Sequence, residues 1–340
     1  MTRFVDEVRE QPAVVRRLLA GDRFADMAER IRALDPVGFM VAARGSSDNA
    51  ALYAKYLFEA RNRLPVALAA PSLFTHYRTP PRLSHYCVIG ISQSGASPDV
   101  VAVLAEARRQ GAFTIALTST LTSPLGIAAD AVIDLATGPE TSVPASKTFT
   151  ASLFALALLS AALDPEPSFS AGIRAVADAL EAALQKSARA AELARDFDAS
   201  SAVVLGRGFN LATAAETALK LTETAYVLAR AWSIADFLHG PIAIADARVP
   251  ALLVGARGPG GQELDAIAGR LAGLGCHVTA IIDGRLPEAA AGIELDSGLP
   301  EALSPLPLSV IGQLLANALA ERRGYDPDRP RSLTKVTRTW

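Results

Sequence analysis

The sequence predicts an α/β protein with two domains, each a parallel sheet flanked by helices. Two observations predict this fold class. Short apolar runs alternate with helical patterns, and this alternation is typical of β–α–β crossovers in a parallel sheet. The order of the patterns then repeats along the 340 residues, a length that leaves room for a core in each of two domains.

The first half contains four strand patterns with helical patterns between them. The strands are expected at Gly38–Arg44, Tyr86–Ile91, Phe113–Ser119 and Ala131–Leu135. The helices are expected at Arg3–Ala20, Asn49–Ala60 and Pro98–Gln110, and from Lys147 onward.

The second half echoes the first at a nearly constant distance along the chain. An Arg-Gly pair at 44–45 recurs at 207–208, an offset of 163 residues, and Gly111 recurs as Gly275, an offset of 164. Unrelated coincidences are not expected to share a spacing, so we predict a tandem duplication of one α/β unit. The predicted bounds are a helical leader at 1–30, a first domain at 31–165, a connecting helix at 166–195, a second domain at 196–324 and a C-terminal tail at 325–340.

Composition and charge argue against several classes of protein. The formal net charge is −2 and no block of Lys or Arg stands out, which argues against a nucleic-acid binder. Cys87 and Cys276 lie far apart in apolar runs, so we expect no disulfide framework and a reducing cytoplasm. The charged N-terminus does not have the pattern of a signal peptide. The longest apolar stretch, Ala151–Leu163, is too short to span a bilayer, so we expect a soluble cytoplasmic protein with no membrane partner.

Two hydroxyl-rich turns follow predicted strands. The turn SQSG at 92–95 ends one strand, and Ser97 and Pro98 suit the cap and the first position of the next helix. Ligands bind beside the carboxyl ends of parallel strands, and a helix N-terminus favours an anion there. On its own, this turn is equally well explained by Ser97 capping the helix. A second such turn, GSS at 45–47, favours a phosphate with sugar hydroxyls.

Other ligand motifs are incomplete. The stretch GARGPGGQE at 255–263 lacks the last glycine of a dinucleotide-binding fingerprint, and SKT at 146–148 lacks the upstream glycine of a P-loop. None of the four histidines, at 76, 85, 239 and 277, shares metal-ligand spacing with another histidine or with a cysteine. We therefore expect no NAD, ATP, metal ion or other cofactor.

A helical pattern in the second half carries several ionisable residues. Glu216, Lys220 and Glu223 share one helix face, and their spacing alone favours an exposed ion pair worth a few tenths of a kcal/mol. His239 follows, just before Gly240, and a lone histidine is more often structural than catalytic. A histidine that titrates near neutral pH and a glutamate on a semi-buried helix are nevertheless suitable proton-transfer groups.

Taken together, these motifs resemble the sugar isomerase (SIS) superfamily. The motifs that carry the resemblance are REQPAVVRRLL at 9–19, SQSG at 92–95, SKTFT at 146–150, ALKLTE at 218–223, HGP at 239–241 and PRSLTKVT at 330–337. The likeness is strongest to the isomerase half of the glutamine–fructose-6-phosphate aminotransferases. It implies two tandem SIS domains, each with a flavodoxin-like three-layer α/β/α fold.

The resemblance also implies which residues bind a sugar phosphate. The residues that match the phosphate-binding loop and the turn beside it are Gly45, Ser46, Ser47, Ser92, Gln93, Ser94 and Ser97. Val143 and Ala145 match the segment that contacts the sugar. Because Ala145 stands where the aminotransferases have a serine, a contact there would have to use the backbone.

Four further residues match catalytic groups of the family. Glu223 matches the glutamate that moves a proton between C1 and C2, and Lys220 matches a second lysine of the pocket. His239 matches the ring-opening histidine, which in this family comes from the neighbouring subunit, so we expect a homodimer with active sites at the subunit interface. Lys335 matches the tail lysine that forms a Schiff base with the open-chain ketose, and the tail is expected to close the active site.

Departures from the aminotransferase pattern point to a related reaction. The chain begins at the isomerase part without the terminal cysteine nucleophile, and Ala96 replaces the acidic residue of the family's SQSGET. We expect a deaminase that converts glucosamine 6-phosphate to fructose 6-phosphate and ammonia by isomerisation. Other enzymes remain open: a deaminase or isomerase of galactosamine 6-phosphate or another phosphosugar, and a deglycase acting on a fructosamine phosphate. A non-catalytic sugar-phosphate sensor is a further alternative, but it would have no need of Glu223, His239 and Lys335 together.

Overall fold

Two compact units make up the protein, and each contains one sheet. The computed structural model describes residues 2–21, 23–197 and 199–335. Of these, residues 13–140, 147–173 and 334–335 form the first-sheet unit, and residues 2–12, 141–146 and 174–333 form the second-sheet unit. The two units therefore alternate along the chain. The domain bounds expected from the sequence remain predictions.

The strands and helices are numbered in chain order. The strands are β1 (Gly38–Ala42), β2 (Val66–Leu68), β3 (Tyr86–Ile91), β4 (Phe113–Thr118), β5 (Ala131–Asp134), β6 (Ser201–Gly206), β7 (Leu228–Ser233), β8 (Ala251–Ala256), β9 (Val278–Asp283) and β10 (Ala291–Leu295). The helices are α1 (Arg3–Arg9), α2 (Gln11–Leu19), α3 (Arg23–Leu34), α4 (Ser46–Asn62), α5 (Ser72–Thr75), α6 (Pro98–Arg109), α7 (Pro124–Ala128), α8 (Lys147–Leu163), α9 (Pro167–Leu184), α10 (Ser187–Asp196), α11 (Asn210–Ala225), α12 (Ile234–Leu238), α13 (Leu264–Gly273) and α14 (Pro305–Arg322).

The first-sheet unit is built on five parallel strands in the order β2-β1-β3-β4-β5. Successive side chains of a strand point to opposite faces of the sheet, so a strand that is buried throughout needs cover on both faces. On one face Val88 of β3 packs in a cluster with Leu104 of α6. On the other face Phe39 of β1 stacks on Phe58 of α4, with the ring centroids 4.5 Å apart. Helices therefore flank this sheet on both sides.

The second-sheet unit contains five parallel strands in the order β10-β9-β8-β6-β7. Leu205 of β6 belongs to a buried cluster with Phe237 of α12 and Leu271 of α13. The alternate residues Val204 and Leu252 are also fully buried, while α11 packs against β6 and β8. Both faces of this sheet are therefore covered too.

The two sheets share one strand order. Counted from the first strand of each sheet along the chain, the order is 2-1-3-4-5 in both. The α/β class with parallel sheets flanked by helices is confirmed. That the second sheet belongs to a second SIS domain stays a prediction, which the common strand order supports.

Two predicted helices are each divided in the structure. The expected helix Arg3–Ala20 is two helices, α1 and α2, with Glu10 between them. Pro12 lies in the first turn of α2, where a missing backbone N–H costs nothing, whereas within a continuous helix it would break a hydrogen bond. The expected connecting helix at 166–195 is likewise the pair α9 and α10.

One helix among the described residues is long and apolar enough to cross a membrane. It covers Glu301–Arg322, and 94% of its apolar window is buried inside the protein. The apolar stretch Ala151–Leu163 lies in the shorter helix α8. The longer helix was not singled out from the sequence because the polar residues Ser309, Gln313 and Asn317 interrupt its apolar pattern.

Candidate active site

The turn after β3 has a backbone that only glycine can complete. Gly95 has a φ of 61°, a left-handed conformation, and a Cβ there would collide with the side chain of Ser123. Several hydrogen bonds hold the turn. Among them, the Thr118 hydroxyl donates to the carbonyl of Gln93 at 3.1 Å, and Ser94 Oγ accepts from the amide of Ala96 at 3.3 Å. The turn is therefore a fixed element beside the carboxyl edge of the sheet.

Ser97 occupies the N-cap of α6, as expected from the sequence. Its φ and ψ are −71° and 110°, but its hydroxyl makes no capping hydrogen bond. Pro98 follows at the start of a 12-residue helix. Because the hydroxyl is not engaged in capping, the interpretation of Ser97 as a simple cap does not account for it. The hydroxyl and the helix dipole together suit an anion at this point.

The second hydroxyl-rich turn lies next to the first. It follows β1, which pairs with β3, and Gly45 begins α4 with a φ of 58°. Ser46 and Ser47 occupy the first turn of that helix and are partly exposed. The turns are joined by an ion pair in which Arg44 Nε lies 2.6 Å from Oδ2 of the buried Asp99. The Arg44 guanidinium, 46% exposed and paired with Asp99, thus lies beside both turns.

Lys335 lies beside a buried carboxylate in the same unit. Its Nζ is 3.2 Å from Oε2 of Glu140, whose side chain is inaccessible to solvent. Glu140 also accepts hydrogen bonds from the amide and the hydroxyl of Thr148, and its backbone carbonyl accepts from Gln93 at 3.4 Å. Glu140 therefore contacts both Gln93 of the SQSG turn and Lys335. Residues 336–340 of the expected tail lie outside the described residues.

On α11, three ionisable side chains form a compact cluster. Lys220 is fully buried, with Nζ 2.5 Å from Glu223 Oε2 and 3.4 Å from Glu216 Oε1. Glu216 is also buried, while the Glu223 side chain is 21% exposed. Burial alone would lower the pKa of Lys220, but the two carboxylates outweigh it and raise that pKa above its ordinary value. The prediction of an exposed ion pair, which rested on spacing alone, is therefore wrong.

The remaining predicted residues of the second-sheet unit lie in two other places. His239 is exposed at the end of α12, and within the described chain no hydrogen bond or ion pair joins it to Glu223 or Lys220. Val143 and Ala145 are partly exposed in the segment 141–146, between buried neighbours.

Comparisons with known proteins identify the family. Residues 39–162 match the SIS domain model. A glutamine–fructose-6-phosphate aminotransferase of Gloeobacter violaceus is 35% identical over 97% of this chain, which covers 57% of that relative. A crystal structure from Silicibacter pomeroyi DSS-3, provisionally described as a phosphosugar isomerase, is 35% identical with a TM-score of 0.88, covering 96% of this chain and 100% of that one.

The chain belongs to the SIS family. A glucosamine-6-phosphate deaminase of Thermotoga maritima has a similar fold, with a TM-score of 0.78 and 20% identity over 99% of this chain and 100% of that one. The chain spans little more than half the length of the curated aminotransferase relative.

Within this SIS protein, each unit assembles part of the set predicted from the sequence. The first-sheet unit brings the two hydroxyl-rich turns together and contains Lys335. The second-sheet unit brings Lys220 and Glu223 together and contains Val143, Ala145 and His239. Which roles these residues play remains a proposal.

Three residues of these clusters were not named as site residues from the sequence. Arg44 and Glu140 have no local motif that marks them, and each is recognised only through a partner distant in sequence, Asp99 and Lys335 respectively. Glu216 carried a signal, its i, i+4 spacing to Lys220, but spacing does not reveal burial.

Proposed function

We propose that this SIS protein is a deaminase that converts glucosamine 6-phosphate and water to fructose 6-phosphate and ammonia. The observation that carries the proposal is the cluster on α11. There, a partly exposed carboxylate, Glu223, is held 2.5 Å from a buried ammonium group, Lys220. A carboxylate fixed in this way can take up and return a proton without leaving its position.

Glu223 is assigned the proton transfer of an aldose–ketose isomerisation. In the open-chain sugar, the carboxylate removes the proton from C2, and the electrons shift to O1, which takes up a proton from water to give an enaminol across C1 and C2. Return of the C2 proton to C1 gives a C2 iminium ion, which loses a nitrogen proton to water and leaves a C2 imine. Lys220 stabilises the anionic form of Glu223 between these steps, because its pKa is raised and it stays protonated. His239 is assigned ring opening before this step.

Lys335 is assigned the release of ammonia. Its Nζ adds to the C2 imine carbon, ammonia leaves, and water then adds to the new C2–lysine imine to give the ketone and free lysine. One water is consumed and one ammonia released, which balances the reaction. The buried carboxylate of Glu140, 3.2 Å from Nζ, orients the amine and is available to accept its proton.

Phosphate holding is assigned to the hydroxyl-rich turns, with Arg44 as the nearby positive charge. The curated relatives are aminotransferases, so the sequence departure at Ala96 is the reason for preferring a deaminase. Ala96 is partly exposed and directly follows the SQSG turn, at a position where the aminotransferase pattern has an acidic residue. Binding energy from a remote phosphate can then be used to orient the reacting carbons.

The test is turnover by the purified protein with glucosamine 6-phosphate, following ammonia and fructose 6-phosphate in parallel. Both products are expected in equal amounts, and Glu223→Gln is expected to lower turnover by about 10²- to 10⁴-fold while the substrate still binds. The matched control is Glu192→Gln, because that carboxylate is 53% exposed and forms an ion pair with Arg189, one helical turn away.

Other outcomes separate the alternatives. Turnover of galactosamine 6-phosphate or of a fructosamine phosphate, without turnover of glucosamine 6-phosphate, would replace the proposed substrate. Binding of sugar phosphates with no turnover of any of them would support a sensor and overturn the enzyme proposal.

A further inference from the structure

The segment 141–146 is tied at both ends by buried polar side chains of the second-sheet unit. At its start, Glu7 of α1 accepts hydrogen bonds from the backbone amides of Thr141 and Ser142, at 2.5 and 3.2 Å. It also accepts from the Thr141 hydroxyl at 3.2 Å. Glu7 is only 5% exposed, and a buried carboxylate is costly unless donors surround it in this way. These bonds therefore fix the backbone where the segment begins.

A second carboxylate holds the same end. Asp328 accepts from the Ser142 hydroxyl at 3.0 Å and from the backbone amides of Arg3 and Phe4, both at 2.8 Å. The amides belong to the first turn of α1, which carries Glu7. Asp328 thus fixes both the segment and the start of the helix that holds it.

A pair of glutamines holds the other end. Gln313 of α14 donates to the carbonyl of Ser146 at 3.4 Å and accepts from Gln11 Nε2 at 2.5 Å. Both glutamines are at most 1% exposed. A hydrogen-bonded amide pair in such a position specifies geometry more strictly than an apolar contact of the same size.

Between the two ends, burial alternates along the segment. Ser142, Pro144 and Ser146 are buried, while Val143 and Ala145 are partly exposed. Val143 and Ala145, which match sugar-contacting positions of the family, are therefore the partly exposed residues between buried neighbours.

We propose that Glu7, Gln11, Gln313 and Asp328 are positioning residues for the sugar. They fix the backbone of 141–146 so that Val143 and Ala145 present a preorganised surface to the carbon chain of the substrate. The proposal rests on the proposed function and deepens it. Part of the recognition of the sugar then depends on groups that touch no substrate, three of them buried, and is separate from recognition of the phosphate.

The first measurement is independent of any activity. Amide hydrogen exchange of Thr141 and Ser142 is compared in ligand-free wild type, Glu7→Gln, Glu7→Ala and Asp6→Asn. We expect exchange at these amides to rise about tenfold or more in Glu7→Ala, and less in Glu7→Gln, which keeps one acceptor oxygen. Asp6 is exposed on the same helix and forms an ion pair with Arg9, one turn further along, so Asp6→Asn is expected to match wild type. Unchanged exchange in both Glu7 variants would overturn the proposal.

The second measurement separates sugar from phosphate. Affinities for glucosamine 6-phosphate and for inorganic phosphate are measured on the same variants. We expect Glu7→Ala to lower the affinity for glucosamine 6-phosphate about tenfold and to leave the affinity for inorganic phosphate unchanged. Equal weakening of both ligands would indicate a general structural loss and overturn the positioning role. If Glu7→Ala does not fold, Glu7→Gln and the double variant Gln11→Leu with Gln313→Leu are used in its place.

The two proposals fail in different ways. Absence of turnover by the wild type would overturn the proposed function. A selective loss of sugar-phosphate affinity in the Glu7 variants would still support the positioning role.

Discussion

At the scale of single residues, Lys220 is the group whose environment is most demanding. An ammonium group without solvent contact is maintained by Glu216 and Glu223. Removing one member of a buried ionic cluster leaves the other charges uncompensated. We therefore expect Lys220→Met to lower the free energy of unfolding by about 3–5 kcal/mol, measured by urea denaturation.

The control for this prediction is the double variant Lys220→Met with Glu216→Leu. It removes the buried partner as well, and is expected to recover part of the lost stability. Because the Lys220 pKa is raised, its contribution is fully present below its ordinary value of about 10.4 and is lost only as the pH rises through the folded value. A difference between wild type and Lys220→Met that shrank between neutral pH and about pH 9 would contradict this linkage.

Lys335 and Glu223 are assigned separate steps, so their variants should fail differently. Lys335→Met is expected to lower ammonia release by about tenfold or more while deuterium from the solvent still enters the sugar at the C1–C2 positions. Glu223→Gln is expected to abolish both signals. Deuterium incorporation and ammonia are measured on the same samples, and loss of both in Lys335→Met would assign that lysine to an earlier step.

At the scale of secondary-structure elements, helices α11 and α14 approach each other through a glycine. A Cβ on Gly312 would collide with the side chain of Thr217, which lies on the helix that carries Lys220 and Glu223. We expect Gly312→Ala to lower the free energy of unfolding by about 1–3 kcal/mol and to reduce turnover, because the α11 cluster shifts with its helix. Denaturation and steady-state kinetics together test this expectation.

The matched control for Gly312 is Gly269 in α13. Apart from its chain neighbours and the backbone of its own helix, no atom of the described residues lies within 4 Å of a Cβ built there. In an open helical position, replacing glycine by alanine stabilises by about 0.5–1 kcal/mol, so Gly269→Ala is expected to have the opposite sign. Equal effects of the two variants would rule out close helix packing as the cause.

The sequence predicted the buried elements better than the exposed ones. The strand at Tyr86–Ile91 has the expected bounds, and the helix at Pro98–Gln110 differs by a single residue. In the first half, the three-residue β2 was missed. It lies at a sheet edge, where one side of the strand has no partner, and two of its three residues are exposed. For the second half, the repeat predicted the order of the elements but no strand bounds.

At the scale of the whole chain, contacts between distant segments were beyond the reach of the sequence. The hydroxyl-rich turns were predictable because parallel strands end at a common edge. Glu140 and Lys335 are 195 residues apart, and Glu7 and Thr141 are 134 apart, so no local spacing marks either pair. The alternation of the two units along the chain has the same origin, since periodicity describes elements and not which of them pack together.

The second-sheet unit has exposed aliphatic side chains and an open sheet edge that suit the proposed homodimer. Leu228 of the edge strand β7 is 76% exposed and Ile244 is 50% exposed. Exposed aliphatic side chains and unpaired strand edges are features that a second copy can cover. His239 is exposed as well, so a neighbouring subunit can reach it.

The proposed homodimer, with active sites shared between subunits, makes a quantitative prediction for mixed subunits. Glu223→Gln and His239→Asn are each expected to be inactive alone. If His239 acts on the substrate bound by the neighbouring subunit, a mixed dimer has one site with both defects and one site with neither. Co-expression with random pairing should then restore about a quarter of the wild-type activity. If His239 acts within its own subunit, every site keeps one defect and no activity returns. Comparing the activity of the co-expressed pair with that of each variant alone therefore decides between the two arrangements.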